Sequence, residues 1–146
     1  MVKVGNIVTL TFTASEAIST PTVSFSSGGN PVQQSVTVTN TSGNNWSATY
    51  TTDANDSGGS VTYSISGFSD QAGNSGSTVT TGSGSVTFDK TRPTISSISS
   101  SANNPTANSP IPVSITFSEN VSGFTLSDIS VSNATVSNLS GSGSSY

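Results

Sequence analysis

Seven carboxylates carry most of the reactive chemistry of this chain: Glu16, Asp53, Asp56, Asp70, Asp89, Glu119 and Asp128. There is no His and no Cys. Without His, the usual general base and any Ser-His-Asp arrangement are excluded. Without Cys, so are thiolate metal sites and disulfide scaffolds. The many Ser residues have no activating partner. Two carboxylates can serve a glycosidase, but no row of aromatics marks a sugar cleft beside them. The sequence therefore predicts a protein that is not an enzyme. What carboxylates do well unaided is hold a hard cation, and Ca²⁺ takes about six to eight oxygen ligands. The same residues also make tight turns, because an Asp side chain accepts backbone N–H groups just ahead of it. The stretch "DANDSGG" (residues 53–59) opens like an EF-hand loop, but the Glu required at its twelfth position is missing.

The composition around these acids is unusual. Of 146 residues, 30 % are apolar and only 7 % are charged, well under the roughly 25 % of an ordinary domain. Disorder from low hydrophobicity normally comes with high net charge. Here the formal charge is only −4, and the apolar residues alternate regularly, so a folded chain with a thin core is expected. Three basic residues make no nucleic-acid footprint. No apolar run reaches the length that spans a bilayer, so no membrane insertion is expected. Met1-Val2-Lys3-Val4-Gly5 is followed by no apolar signal-peptide core, which puts any export signal outside this chain.

The elements that must position the acids are strands. Val8, Leu10 and Phe12 alternate with Thr9, Thr11 and Thr13 over residues 7–13, the pattern of a half-buried antiparallel strand. Further strands are predicted over 21–26, 34–39, 46–50, 61–67 and 85–88, with inward Val23, Phe25, Val36, Val38, Trp46, Ala48, Tyr50, Tyr63, Ile65, Val86 and Phe88. No segment has helical spacing. Six short strands separated by Gly, Asn and Ser turns read as an antiparallel β-sandwich. Trp46 keeps phase with Ala48 and Tyr50, so it is expected in the core and not on a carbohydrate platform. After Pro93 the pattern restarts with residues 94–98 and with Val113, Ile115 and Phe117.

The two halves echo each other. "LTFTASEAIS" (residues 10–19) and "SITFSENVS" (residues 114–122) are both alternating strands that end in Ser-Glu, with Glu16 and Glu119 separated by 103 positions. A fixed period of about one domain signals an array. With "SGFSDQAGNSG" (residues 66–76) and the linker "FDKTRPTISSISS", these pieces resemble the bacterial immunoglobulin-like repeats of large surface and secreted proteins, many of them adhesins. The resemblance implies an all-β fold of immunoglobulin-like antiparallel β-sandwich repeats in tandem. Residues 1–88 would form one repeat lacking its first strand, 89–93 the linker, and 94–146 the N-terminal part of a second, incomplete repeat.

In such a sandwich the loops alternate between two poles. That places Asp53, Asp56, Asp89 and Glu119 around one joint, as a candidate inter-domain calcium site. Glu16 and Asp70 share the opposite pole, as a candidate second site. The implied function is a non-catalytic spacer in a long extracellular or cell-surface bacterial protein, whose partners are the neighbouring repeats of the same chain. Self-association through open strand edges into an extracellular filament or virion appendage is one alternative, and a glycan- or ice-binding module is another. In the spacer reading Pro93 sets the exit direction of the chain, Asp89 offers an oxygen toward the joint, and Lys90 and Arg92 keep it solvated.

Overall fold

The alternation of residues 7–13 becomes a strand with the same limits. In the computed structural model, which describes residues 1–146, β1 is Ile7–Thr13. Its Thr residues are exposed, Val8 is buried, and Leu10 and Phe12 are half-buried. β2 (Thr22–Ser27), β3 (Asn30–Pro31), β4 (Thr37–Ser42), β5 (Asn45–Thr51), β6 (Gly59–Ser66) and β7 (Val86–Phe88) follow. They belong to the first of two compact units, Met1–Thr91; the second is Arg92–Tyr146.

Two sheets make up the first unit. One has the order β1-β5-β4 and the other β3-β2-β6-β7. All the strand pairings are antiparallel. Val8 of β1 and Ala48 and Tyr50 of β5 meet Val23 and Phe25 of β2 and Ile65 of β6 in one buried cluster. The Phe25 and Tyr50 rings lie 4.8 Å apart across the two sheets. A three-stranded sheet packed on a four-stranded one, with connections that repeatedly cross between them, is the immunoglobulin arrangement. Trp46 is 6 % exposed, within the core as its phase predicted.

Three local details depart from the expected strands. The fourth strand runs over Thr37–Ser42 and not 34–39, because its register is set against β5 by Val38↔Ala48 and Asn40↔Trp46. The Gly28-Gly29 turn is followed at once by the two-residue β3, so residues 30 and 31 pair with β2 and are not part of the turn. Both glycines have positive φ, +54° and +82°, as a two-residue hairpin of primed type requires. A Cβ on Gly28 would also run into the Gly58 carbonyl oxygen. Gly28→Ala is therefore expected to destabilise the first unit by about 1–3 kcal/mol. Gly29→Ala has open space around the new methyl and should cost less; urea melts of the two variants give the comparison. Finally, one short 3-10 turn, Leu126–Asp128, stands in a chain predicted to have no helix.

The second unit is built around β8 (Ile95–Ser99) and β9 (Ser114–Phe117), which pair antiparallel with Ile95 opposite Phe117 and Ile98 opposite Ile115. On the other edge of β9, Ile115 and Tyr146 exchange backbone hydrogen bonds of 2.8 and 3.0 Å, and the Phe117 N–H donates to the Ser144 carbonyl. Phe117, Phe124 and Tyr146 meet edge to face with centroids 5.0–6.0 Å apart. Only Ile115 is a buried hydrophobic residue here. Every residue of β8 is exposed, Ile95 by 55 % and Ile98 by 63 %.

Candidate functional site

The expected joint acids of the first unit lie in the β5–β6 loop and just after β7. Asp56 is buried, and its carboxylate accepts the Asp53 N–H at 2.8 Å. Asp53 in turn accepts the backbone N–H and side-chain amide of Asn55 at 2.9 and 2.8 Å. The Asp53 contact is an Asx-type turn, and the Asp56 carboxylate reaches back three residues to satisfy an N–H that the reversal leaves unpaired. The Asp89 carboxylate does the same for the Thr91 N–H at 2.9 Å.

Lys90 does more than keep this region solvated. Its ammonium donates to the carbonyl oxygens of Asp56 at 2.8 Å and Ala54 at 3.2 Å. The β6–β7 ladder brings it there: Gly59 pairs with Phe88, so the chain leaving β7 runs back past the loop that precedes β6. The loop thus already holds a cation, and the chain two residues past the last strand is tied to the body of the unit. Sequence reasoning missed this contact. The available signal was a Lys directly after Asp89 in a chain with only three basic residues. The contact is partly exposed and worth about 1 kcal/mol or less. Lys90→Met should therefore lower the melting temperature of the first unit by a few degrees, with Lys90→Arg retaining part of the contact, as followed by circular dichroism.

Burial pushes the Tyr50 phenol upward, and the Asp56 charge adds to this. Nearby Ser27 works the other way, although its hydroxyl donates to the Ser57 carbonyl at 2.7 Å and the phenol oxygen has no hydrogen-bond partner. Tyr50 is therefore a neutral wall beside the Asp56 loop over the physiological range.

At the other end of the first unit, Glu16 and Asp70 line one cavity of about 210 Å³ with Ser15, Ile18, Phe68 and Asn74. Their shared pole is where the sandwich topology was expected to put them. Asp70 accepts the Asn74 side-chain amide at 2.7 Å and its backbone N–H at 2.8 Å. These bonds, the side-chain one first, hold the Asp70 carboxyl below its ordinary value. A depressed folded pKa means that the ionised form is the one the fold favours. The contribution is present above the ordinary carboxylate range, near pH 4, and is lost as pH falls below it. Asp70→Asn should flatten the acid limb of a stability–pH curve, and an unchanged limb would remove this role. Gly76 belongs to the same loop, and a Cβ there would run into the Phe68 ring.

In the second unit, the Asp128 carboxylate accepts the backbone N–H and the hydroxyl of Thr125 at 2.8 and 2.9 Å, which lowers its pKa. One Glu119 carboxylate oxygen is buried without a hydrogen-bond partner. Asp53, Asp56 and Asp89 belong to the first unit and Glu119 to the second. No group of three or more acidic side chains gathers closely enough to hold a metal ion unaided.

The fold and these turn-forming acids define an immunoglobulin-like β module. Residues 89–146 match the family model described as a bacterial Ig-like domain. That segment includes the linker and the whole second unit, and the match agrees with the resemblance carried by "FDKTRPTISSISS" and "SITFSENVS". No curated protein and no solved structure matches the chain.

Proposed function

We propose that this chain is a spacer within a bacterial extracellular or cell-surface protein of the adhesin type, holding a binding region at a distance. The observation that carries the reading is the bacterial Ig-like match over residues 89–146, directly following an immunoglobulin-type sandwich in the same chain. The Lys90 clamp supports it, because it anchors the start of the connecting segment to the first unit. A spacer has to resist pulling. Stretched within a polyprotein by force spectroscopy, the chain should show a discrete unfolding event that releases roughly 30 nm, the extended length of the first unit. Featureless extension would count against the spacer.

Calcium binding by these acids is a second reading, and the unpartnered Glu119 oxygen favours it. The carboxylates of Asp53, Asp56 and Asp89 already accept local N–H groups, and Lys90 occupies two of the carbonyls, so Ca²⁺ would have to displace part of that network. Saturating Ca²⁺ should then raise stability by about 2.7 kcal/mol at a hundredfold excess over the dissociation constant, relative to EDTA. The gain should disappear in Glu119→Gln and in Asp89→Ala. No shift in the parent chain would reduce the acids to turn-formers. Trp46 offers no platform for glycans, because it is buried.

A further inference from the structure

We infer that the Lys90–Thr91 peptide bond is a processing site for a serine endoprotease of the type that cleaves after Lys, and that the first unit keeps it closed until Lys90 leaves the β5–β6 loop. The inference rests on the connecting segment and its contacts, and not on the spacer reading.

Between β7 and β8 the chain has the form that a protease takes as substrate. Residues 89–94 belong to no strand, helix or turn, and all but Asp89 are exposed. Surface segments free of ladder pairing are where proteolytic nicking concentrates. An endoprotease with an acidic specificity pocket takes an extended Lys or Arg side chain. This segment has two such residues, Lys90 and Arg92. Arg92 is followed by Pro93, whose ring occupies the nitrogen that would have to leave. Lys90 is followed by Thr91, an ordinary amide. Hydrolysis there consumes one water: the C–N bond between Lys90 and Thr91 breaks, Lys90 is left with a carboxylate and Thr91 with an amine. The cut falls at the edge of the first unit, which ends at Thr91, and would part the second unit from it.

The third basic residue, Lys3, is built differently. Its carbonyl accepts the Thr52 hydroxyl at 2.7 Å and the Asn6 N–H at 3.1 Å, and its own N–H donates to the Asn6 side chain at 3.0 Å. The carbonyl that a protease would attack is locked into the fold. The Lys90 carbonyl makes no such bonds. What is held at Lys90 is the side chain, whose ammonium lies on the Asp56 and Ala54 carbonyls and so cannot enter a specificity pocket. On either side, the Asp89 N–H is taken by the Val2 carbonyl and the Thr91 N–H by the Asp89 carboxylate, both at 2.9 Å. The bond is thus presented but guarded. Opening the guard needs no general unfolding. The clamp is two partly exposed hydrogen bonds, and the strand before it is three residues long. Local openings of this size lie well below the cost of unfolding the whole unit.

The experiment is limited digestion of the full chain with trypsin, with fragments read by mass spectrometry, beside a synthetic peptide of residues 85–96. Fragments 1–90 and 91–146 should accumulate, and the cut should be slower than in the peptide by about tenfold or more, because only the opened form is cleaved. The Lys3–Val4 bond reports global unfolding in the same sample. In Asp56→Ala the loop loses the carboxylate that holds the Asp53 N–H. Cleavage after Lys90 should then rise several-fold with Lys3–Val4 still intact. Three results would each overturn the inference: a parent cut as fast as the peptide, cleavage after Lys90 only together with cleavage after Lys3, or a folded Asp56→Ala protein cut no faster than the parent. Should Asp56→Ala fail to fold, urea below the unfolding midpoint of the parent replaces it. Cleavage after Lys90 that rises with urea while Lys3–Val4 stays intact supports the local guard, and a rise shared by both bonds overturns it.

Discussion

Truncating Phe88 to Ala is expected to cost the first unit about 3–5 kcal/mol, the range for removing a fully buried aromatic ring. Phe88 is 1 % exposed, yet it sits in a strand of only three residues. Its side chain holds that strand against the core while its backbone pairs with Gly59 of β6. The chain around it also binds Val2: the Val2 N–H donates to the Thr87 carbonyl and the Asp89 N–H donates to the Val2 carbonyl, both at 2.9 Å. Loss of the ring should therefore loosen the N-terminal segment and the Lys90 clamp together. Against a typical domain stability of about 5–15 kcal/mol, this is a large fraction for a unit with a thin core. Urea unfolding followed by circular dichroism should show a sharply lowered midpoint. Ile98→Ala, at an exposed position, should move the midpoint little. Equal effects from the two variants would show that β7 is not held by its side chain.

Trp46 gives the second large effect. Trp46→Ala should also cost about 3–5 kcal/mol, because it empties a ring-sized space opposite Phe12, where β5 pairs with β1. Trp46→Phe separates shape from polarity. The indole N–H is buried without a hydrogen-bond partner, and burying such a group carries a penalty that Phe does not incur. The Phe variant should therefore retain most of the stability, within about 1–2 kcal/mol of the parent. If Trp46→Ala left stability unchanged but removed binding to a sugar, the core assignment would give way to a ligand platform.

The acids show where reading the sequence succeeds and where it stops. Asp53, Asp70 and Asp128 accept hydrogen bonds from residues within four positions, so their turn chemistry is visible in "DANDS", "DQAGN" and "TLSD". The common pole of Glu16 and Asp70 followed from counting strands, because each strand of a sandwich reverses the chain. The Lys90 clamp was not legible. It joins residues 34 and 36 positions apart, and it exists only because Gly59 and Phe88 are in register. The shift of β4 to residues 37–42 has the same cause, since Val36 and Val38 suggest a strand centred on them, whereas the pairing of Val38 with Ala48 and of Asn40 with Trp46 moves the ladder past Val36.

Period-two alternation is a local property of the chain, so the all-β class, the limits of β1 and the inward phase of Trp46 could all be read along a single strand. Which strands lie beside one another could not. β1 and β9 have nearly the same sequence, yet β9 is paired on both sides and β1 on one. Backbone pairing is fixed by what lies beside a strand in space, and "LTF" and "ITF" have different neighbours. The lysine that closes the β5–β6 loop belongs to the assembled fold.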